Sequence, residues 1–206
     1  MADQELQELD PADTVADADI EVSPAPKLDP ETIARRREAL RRVRKWGDPV
    51  LKTRALEVSR FDDALRTQTA TMGALMDDAL GVGLAATQVG LLQRLFVYRV
   101  MSGAPLNVLV NPVIDWSSKD EEWLEEGCLS LPAVHVDVER PVHIRVSAQD
   151  EWGEHISIEA SGLEARIIQH ELDHLDGTLI LDRTPRSQRK DAMRAMREAL
   201  AADEHP

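Results

Sequence analysis

His170-Glu171-Leu172-Asp173-His174 brings two imidazoles and a carboxylate together within five residues. In a helix, side chains at i and i+4 share a face, so both rings can reach one metal ion. The glutamate between them then lies beside a metal-coordinated water as its proton acceptor. A hydrolytic site of this kind needs a third protein ligand and one open position. Extended protease signatures place a third histidine six residues beyond the second, and here that position is Ile180, which cannot bind metal. The single cysteine, Cys128 in Glu126-Gly127-Cys128-Leu129-Ser130, is the soft donor that remains. A Cys/His/His set suits zinc or ferrous iron. The other histidines, His135, His143, His155 and His205, have no motif spacing. Cys128, His170 and His174 are therefore the expected metal ligands.

A second segment, Gly81-Val82-Gly83-Leu84-Ala85-Ala86-Thr87-Gln88-Val89-Gly90, is small and apolar apart from its hydroxyl and amide side chains at 87 and 88. Small residues let a backbone approach another chain closely. One amide in such a wall is suited to donate a hydrogen bond to a developing oxyanion. The segment is not a phosphate loop, because neither the third spaced glycine nor Gly-Lys-Ser/Thr follows.

These segments resemble peptide deformylase in content, order and spacing. The matching stretches are Gly81 to Gln88, Glu126 to Ser130, and Gln169-His170-Glu171-Leu172-Asp173-His174-Leu175-Asp176-Gly177. Gly47-Asp48-Pro49-Val50-Leu51 looks like the N-terminal signature of that family, and the resemblance covers roughly residues 43 to 184. It implies a hydrolase that removes the formyl group from the N-formylmethionine of new bacterial polypeptides and releases formate. Fe2+ is the implied native ion, with Zn2+, Ni2+ or Co2+ able to substitute. Glu171 would act as base and then acid, while the Gln88 side chain and the Leu129 backbone N–H meet the oxyanion. The backbone at Val82 and Gly83 matches the strip that pairs with substrate main chain. Leu163, Ile167 and His170 would line the methionine pocket, with the Arg166 stem beside them and its head in solvent. Glu126 and Arg140 look like a pair that steadies the cysteine turn. His135 stands where many members carry an arginine near the cleft mouth.

Two other readings compete. One is a different metal-dependent amidase or peptidase built on the same pentad, with Asp182 as third ligand. The other is a catalytically silent, ribosome-associated binding protein, although silent sites usually lose the general base, and Glu171 and Gln88 are both present.

Composition bounds the rest. A chain of 206 residues suits one domain with a full core. One cysteine excludes an internal disulfide and agrees with a reducing, cytoplasmic setting. No signal peptide is expected, and nothing approaches the roughly 18 consecutive apolar residues of a membrane helix. No feature points to sequence-specific nucleic-acid recognition. The net charge of −14 is unevenly spread, with residues 1–30 holding nine acids against Lys27 and four prolines without helical or strand period. That stretch is expected to be a disordered acidic tail, and residues 31–206 a single catalytic domain. Residues 31–45 and 183–197 are basic instead. Each reads as an amphipathic helix with a solvated basic face. Because the implied substrate emerges from the ribosome, the C-terminal helix at about 187–201 is a candidate for contact with ribosomal RNA phosphates.

Period and punctuation predict the elements that must position the site. Leu65, Met72, Leu75, Met76 and Ala79 predict a helix over 62–80, capped by Asp62 or Asp63. Strands are expected at 95–100, at 106–110 with a stop at Asn111-Pro112, and near 121–125, 142–148 and 154–160. Ser161-Gly162-Leu163-Glu164 fits a capping box that starts the metal helix, and Gly177 fits its end. Buried Leu163 and Ile167 are expected to hold that helix in place. Strands in a run with few helices between them give an α+β fold, mostly antiparallel sheet packed around a central metal-binding helix, with helices at both ends.

Overall fold

A computed structural model describes residues 28–204, and the acidic segment over 1–27 lies outside the described residues. Asp29 and Pro30, assigned to the tail by composition, instead start helix α1 (Pro30–Arg42). Asp29 is its N-cap, accepting from Thr32 N at 2.9 Å, and Pro30 occupies the first turn. Helix α2 (Asp63–Asp78) starts as predicted at Asp62, whose carboxylate accepts from Leu65 N at 3.1 Å. It buries Leu65, Met72, Leu75 and Met76.

Five antiparallel strands form the main sheet in the order β1-β2-β3-β6-β7: β1 (Gly83–Ala85), β2 (Leu95–Tyr98), β3 (Asn107–Ser117), β6 (His143–Gln149) and β7 (His155–Ser161). A separate hairpin pairs β4 (Glu121–Cys128) with β5 (Leu131–Pro141). β3 does not stop at Asn111-Pro112 as expected. The register shifts between Val110 and Val113, so the proline, which lacks an N–H, falls at a bulge and costs no ladder bond. Asn111 there has φ 52° and ties the bulge to Val58 N and O through its side chain. β5 was not predicted, although Val134, Val136, Val138 and Arg140 alternate inward with exposed His135 and Glu139.

The site hangs on helix α3 (Gly162–Leu175). Ala165, Ile167, Ile168, Leu172 and Leu175 pack against Phe96, Tyr98, Leu109, Ile144 and Val146 of the sheet. Each leucine or isoleucine among them contributes about 1.5–3 kcal/mol on burial, so packing rather than propensity fixes the helix. Two expectations are corrected at its start. Ser161 is the N-cap residue but its hydroxyl makes no capping bond, because Gly162 at φ 56° leaves the helical region. Glu164 accepts instead from Tyr98 Oη at 2.8 Å. Leu163 is 55% exposed, so Ile167 anchors this face without it. The far end ends as predicted: Thr178 N bonds Asp173 O and Gly177 N bonds His174 O, a Schellman pair around Gly177 at φ 72°.

A short helix α4 (Ile180–Arg183) leads into α5 (Arg186–Glu204). Ala192, Met193, Met196 and Leu200 of α5 pack on a third cluster with Val134, Val136 and Val138 of β5. Among the described residues no helix is long and apolar enough to cross a membrane.

Candidate metal centre and active site

Three side chains from two elements meet at the centre. His170 and His174 project from α3, and Cys128 from the end of β4, with one donor atom of each within 4.8 Å of the others. Cys128 Sγ lies 3.2 Å from His174 Nε2. Bond lengths of about 2.3 Å to sulfur and about 2.1 Å to nitrogen put tetrahedral donors roughly 3.6 Å apart, within the range of these separations. No other grouping of three His, Cys, Asp or Glu side chains with this closeness occurs among the described residues. Asp182, the alternative third ligand, is engaged elsewhere: it pairs with Lys52 and accepts from Leu179 N at 2.8 Å.

Cys128 reaches the pair because the hairpin register breaks at it. Glu126 pairs with Val136 and Gly127 with His135, but Cys128 then pairs with Leu131 across a tight turn. Burial alone would raise its thiol, but His174 and His170 beside it hold it well below the usual thiol range. Burial likewise opposes a charged His170, while hydrogen bonds to Cys128 and Glu126 push it well above the usual histidine value. Binding a cation there displaces protons, which makes affinity pH-dependent.

Behind the rings lies a buried ionic network. Glu126 Oε2 is 2.9 Å from His170 Nδ1, which fixes the tautomer and leaves Nε2 free as a donor. Arg140 holds Glu126 in a fork, Nε to Oε1 at 2.6 Å and Nη2 to Oε2 at 2.9 Å, and reaches Asp173 Oδ2 at 2.9 Å. Burial works against the Glu126 carboxylate, but Arg140 and His170 hold it well below the ordinary range. The expected Glu126–Arg140 pair thus steadies a histidine as well as the cysteine turn. Arg183 closes the outer end of the network on Asp173.

Glu171 faces the opposite side. It is 3% exposed, its carboxyl is raised by burial, and Oε2 has no partner. The other buried side-chain atom without a partner among the described residues is His174 Nδ1. A buried carboxylate oxygen left open beside three converging donors fits a site built for an ion and a reacting molecule. Gly83 makes room for it: a Cβ there would lie 2.3 Å from Glu171 Oε1, so a larger residue would force Glu171 or β1 to shift.

Gln88 is buried, not solvated, at the end of a short 3-10 turn over Ala86–Val89. Its Oε1 accepts from Ala85 N at 2.8 Å, which turns Nε2 toward Ser130 Oγ at 3.3 Å and Cys128 Sγ at 3.8 Å. Both contacts are long, so the amide retains donor capacity. Leu129 follows Cys128 and its carbonyl accepts from Lys45 Nζ at 2.9 Å. Val82 is exposed next to buried Gly83. Ile167 lies in the core, while Leu163 is at the surface. His135 is exposed on β5. The Arg166 head does not reach solvent: it bonds Glu126 Oε1, Val138 O and Glu122 O. Ser130, Asp173 and Arg183 went unassigned by sequence. Asp173 carried a usable signal: it shares a helical face with Arg166, Gln169 and His170, a polar stripe on a helix whose other face is apolar.

A buried helix presenting a histidine pair with an acid between, completed by a cysteine from a hairpin, defines a metallohydrolase centre in an antiparallel α+β fold. The family model described as polypeptide deformylase matches residues 40–190. Peptide deformylase 1 of Corynebacterium glutamicum is 46% identical over 161 residues, covering 77% of this chain and 95% of that protein. Peptide deformylase of Thermotoga neapolitana is 47% identical over 148 residues, covering 72% and 89%. Among solved structures, peptide deformylase from Legionella pneumophila superposes with TM-score 0.76 at 36% identity, covering 80% of this chain and 97% of that one. Its counterpart from Thermotoga maritima gives TM-score 0.68 at 44% identity, covering 70% and 97%. The chain belongs to the polypeptide deformylase family, metal-dependent hydrolases that take the formyl group from polypeptide N-termini.

Proposed function

We propose that this chain deformylates the N-formylmethionine of nascent polypeptides in the cytoplasm, with Cys128, His170 and His174 as metal ligands and residues 31–206 as its catalytic domain. The observation that carries the reading is the convergence of those three donors beside a buried Glu171 oxygen that has no partner. A divalent ion held there would supply Lewis acidity at one open position, acidifying water and polarising the formyl oxygen.

Glu171 takes the proton of the attacking water and returns it to the leaving nitrogen. Its elevated carboxyl suits both halves of that exchange. Gln88 Nε2 and the Leu129 N–H donate to the oxyanion, each contact of this type being worth on the order of a hundredfold in rate. Glu126 and Arg140 hold His170 in the donor tautomer. The Val82–Gly83 backbone borders Glu171 and offers main-chain groups to the substrate, and Leu163 with Ile167 lines the side-chain pocket.

The native ion is Fe2+, with Zn2+, Ni2+ or Co2+ as substitutes. The thiolate and imidazole donors support all of these. Formate release from formyl-Met-Ala-Ser by anaerobically prepared, iron-loaded protein tests the reading. Release is expected, with loss of activity on exposure to air. Cleavage of unformylated peptides in its place refutes it, and activity undiminished by long aerobic handling refutes iron.

The exposed face of α5 carries Arg186, Arg189, Lys190, Arg194 and Arg197, while its apolar face is spent on β5. This supports ribosome contact through ribosomal RNA phosphates. Arg194→Glu with Arg197→Glu should weaken ribosome co-sedimentation at low salt, and unchanged co-sedimentation ends that part of the reading.

A further inference from the structure

Arg166 stands one helical turn before His170 on α3, 8% exposed. Its guanidinium reaches acceptors on both strands of the facing hairpin. Nη1 bonds Glu126 Oε1 at 2.7 Å and Val138 O at 2.9 Å, and Nη2 bonds Glu122 O at 2.7 Å. Burying a guanidinium is costly unless its N–H groups find partners, and an apolar residue would fill such a position at less expense. Neutralising Glu126 does not explain it. Arg140 already forks onto both Glu126 oxygens and bridges to Asp173, which Arg183 also pairs.

The distinctive feature of Arg166 is what its bonds join. Two of the three acceptors are main-chain carbonyls, one on β4 and one on β5, so the bonds fix strand backbone and not merely a rotamer. The third is the carboxylate that orients His170. Cys128 lies two residues beyond Glu126 on β4, and both histidines lie on α3. We propose that Arg166 is a positioning residue for the metal centre. It cross-links the helix that carries His170 and His174 to the hairpin that carries Cys128, and thereby slows loss of the ion. The inference rests on the reading of those three side chains as metal ligands.

Co2+ is the probe, because its sulfur-to-metal absorption band reports the Cys128 bond directly. Release into excess chelator is timed under anaerobic conditions for the unaltered protein, Arg166→Met, Arg166→Lys and Tyr98→Phe, with thermal unfolding of each metal-free protein alongside. Arg166→Met should release Co2+ about 10- to 100-fold faster. Arg166→Lys, whose single ammonium cannot span all three acceptors, should fall between. Tyr98→Phe removes the 2.8 Å bond to Glu164 in the first turn of α3, away from the metal ligands. It should lower the unfolding midpoint and leave release unchanged. Arg166→Met releasing at the unaltered rate overturns the proposal, and so does an equal acceleration by Tyr98→Phe. If Arg166→Met does not fold, Arg166→Lys decides on the same criterion. An unaltered protein that binds Co2+ without a sulfur band refutes the ligand assignment itself, a distinct outcome.

Discussion

Gly83 is the position where one added methyl group should act directly on the chemistry. An alanine Cβ would meet Glu171 Oε1 at 2.3 Å, Cδ at 2.8 Å and Cγ at 2.9 Å. Ordinary contact needs about 3.5 Å, so one side must retreat by about 1 Å. Neither side yields easily. β1 is held by pairing of Gly83 with Tyr98 and Leu84 with Val97. Glu171 sits on α3 between buried Ile168 and Leu172. A displacement of that size at a reacting group costs about a hundredfold in rate, or about 2.7 kcal/mol on the barrier. Gly83→Ala should therefore lower kcat about a hundredfold while metal content stays unchanged, because none of the three donors is touched. The overpacking itself should destabilise the fold by about 1–3 kcal/mol. Steady-state formate release, with kcat and KM separated, and metal analysis of the same samples check this. A kcat within twofold of the unaltered enzyme would refute the argument that Glu171 works from this packed position. A rise in KM alone would reduce Gly83 to a substrate-pairing role.

Glu171→Gln keeps shape and removes the base, so turnover should fall by about 10²- to 10⁴-fold with metal still bound, as read by formate release and elemental analysis. Arg140→Met leaves Glu126 without its fork inside the fold, and should cost about 3–5 kcal/mol in urea unfolding of the metal-free protein. Burial raises the Asp182 carboxyl, but Lys52 and the Leu179 N–H bring it below the ordinary value of 3.8. A carboxyl lowered on folding stabilises above its unfolded value, and that contribution disappears as pH falls through the folded value. Asp182→Asn should therefore cost about 0.5–1 kcal/mol in urea unfolding at pH 7, and the difference should shrink progressively as pH falls below 3.8. Metal binding should be unaffected, whereas loss of metal would restore Asp182 as the third ligand.

The parts of the site legible in the sequence were those set by covalent chemistry and helical period. A cysteine thiol has few rivals as a soft donor, and an i, i+4 spacing states its own geometry, so the convergence of Cys128, His170 and His174 could be expected before any fold. α2 was readable for the same reason, with Asp62 as cap and an apolar stripe of one period. What escaped depends on contacts distant in sequence. The Ser161 capping box satisfied the local pattern, yet Glu164 is drawn to Tyr98, 66 residues away in the chain. Leu163 looked like a buried anchor because its period was right, but nothing in a period tells where the sheet ends. An arginine beside an apolar face reads as a stem along that face with its head in solvent, whereas the Arg166 head is buried. Its acceptors on β4 and β5 come together only after the hairpin, half of which went unread, has formed. β3 continued through Asn111-Pro112 because a bulge absorbs a proline, and a bulge is set by the partner strand.

The pentad itself shows how local and distant constraints meet. His170 and His174 bring ring nitrogens to the cluster with Cys128, and Glu171, on the turn between them, points to the β1 side where Gly83 yields space. The two remaining positions are equally constrained. Leu172 is 5% exposed in the sheet-facing core. Asp173, also 5% exposed, accepts from Arg140 and Arg183. Through Arg140 it is linked to Glu126, and through Glu126 to the ring of His170. The helix therefore steadies one of its own donors by a loop of charge that leaves at Asp173 and returns at His170. A neutral residue at 173 would leave Arg140 and Arg183 sharing one acceptor fewer inside the fold, so the requirement for an acid there is physical and does not depend on catalysis.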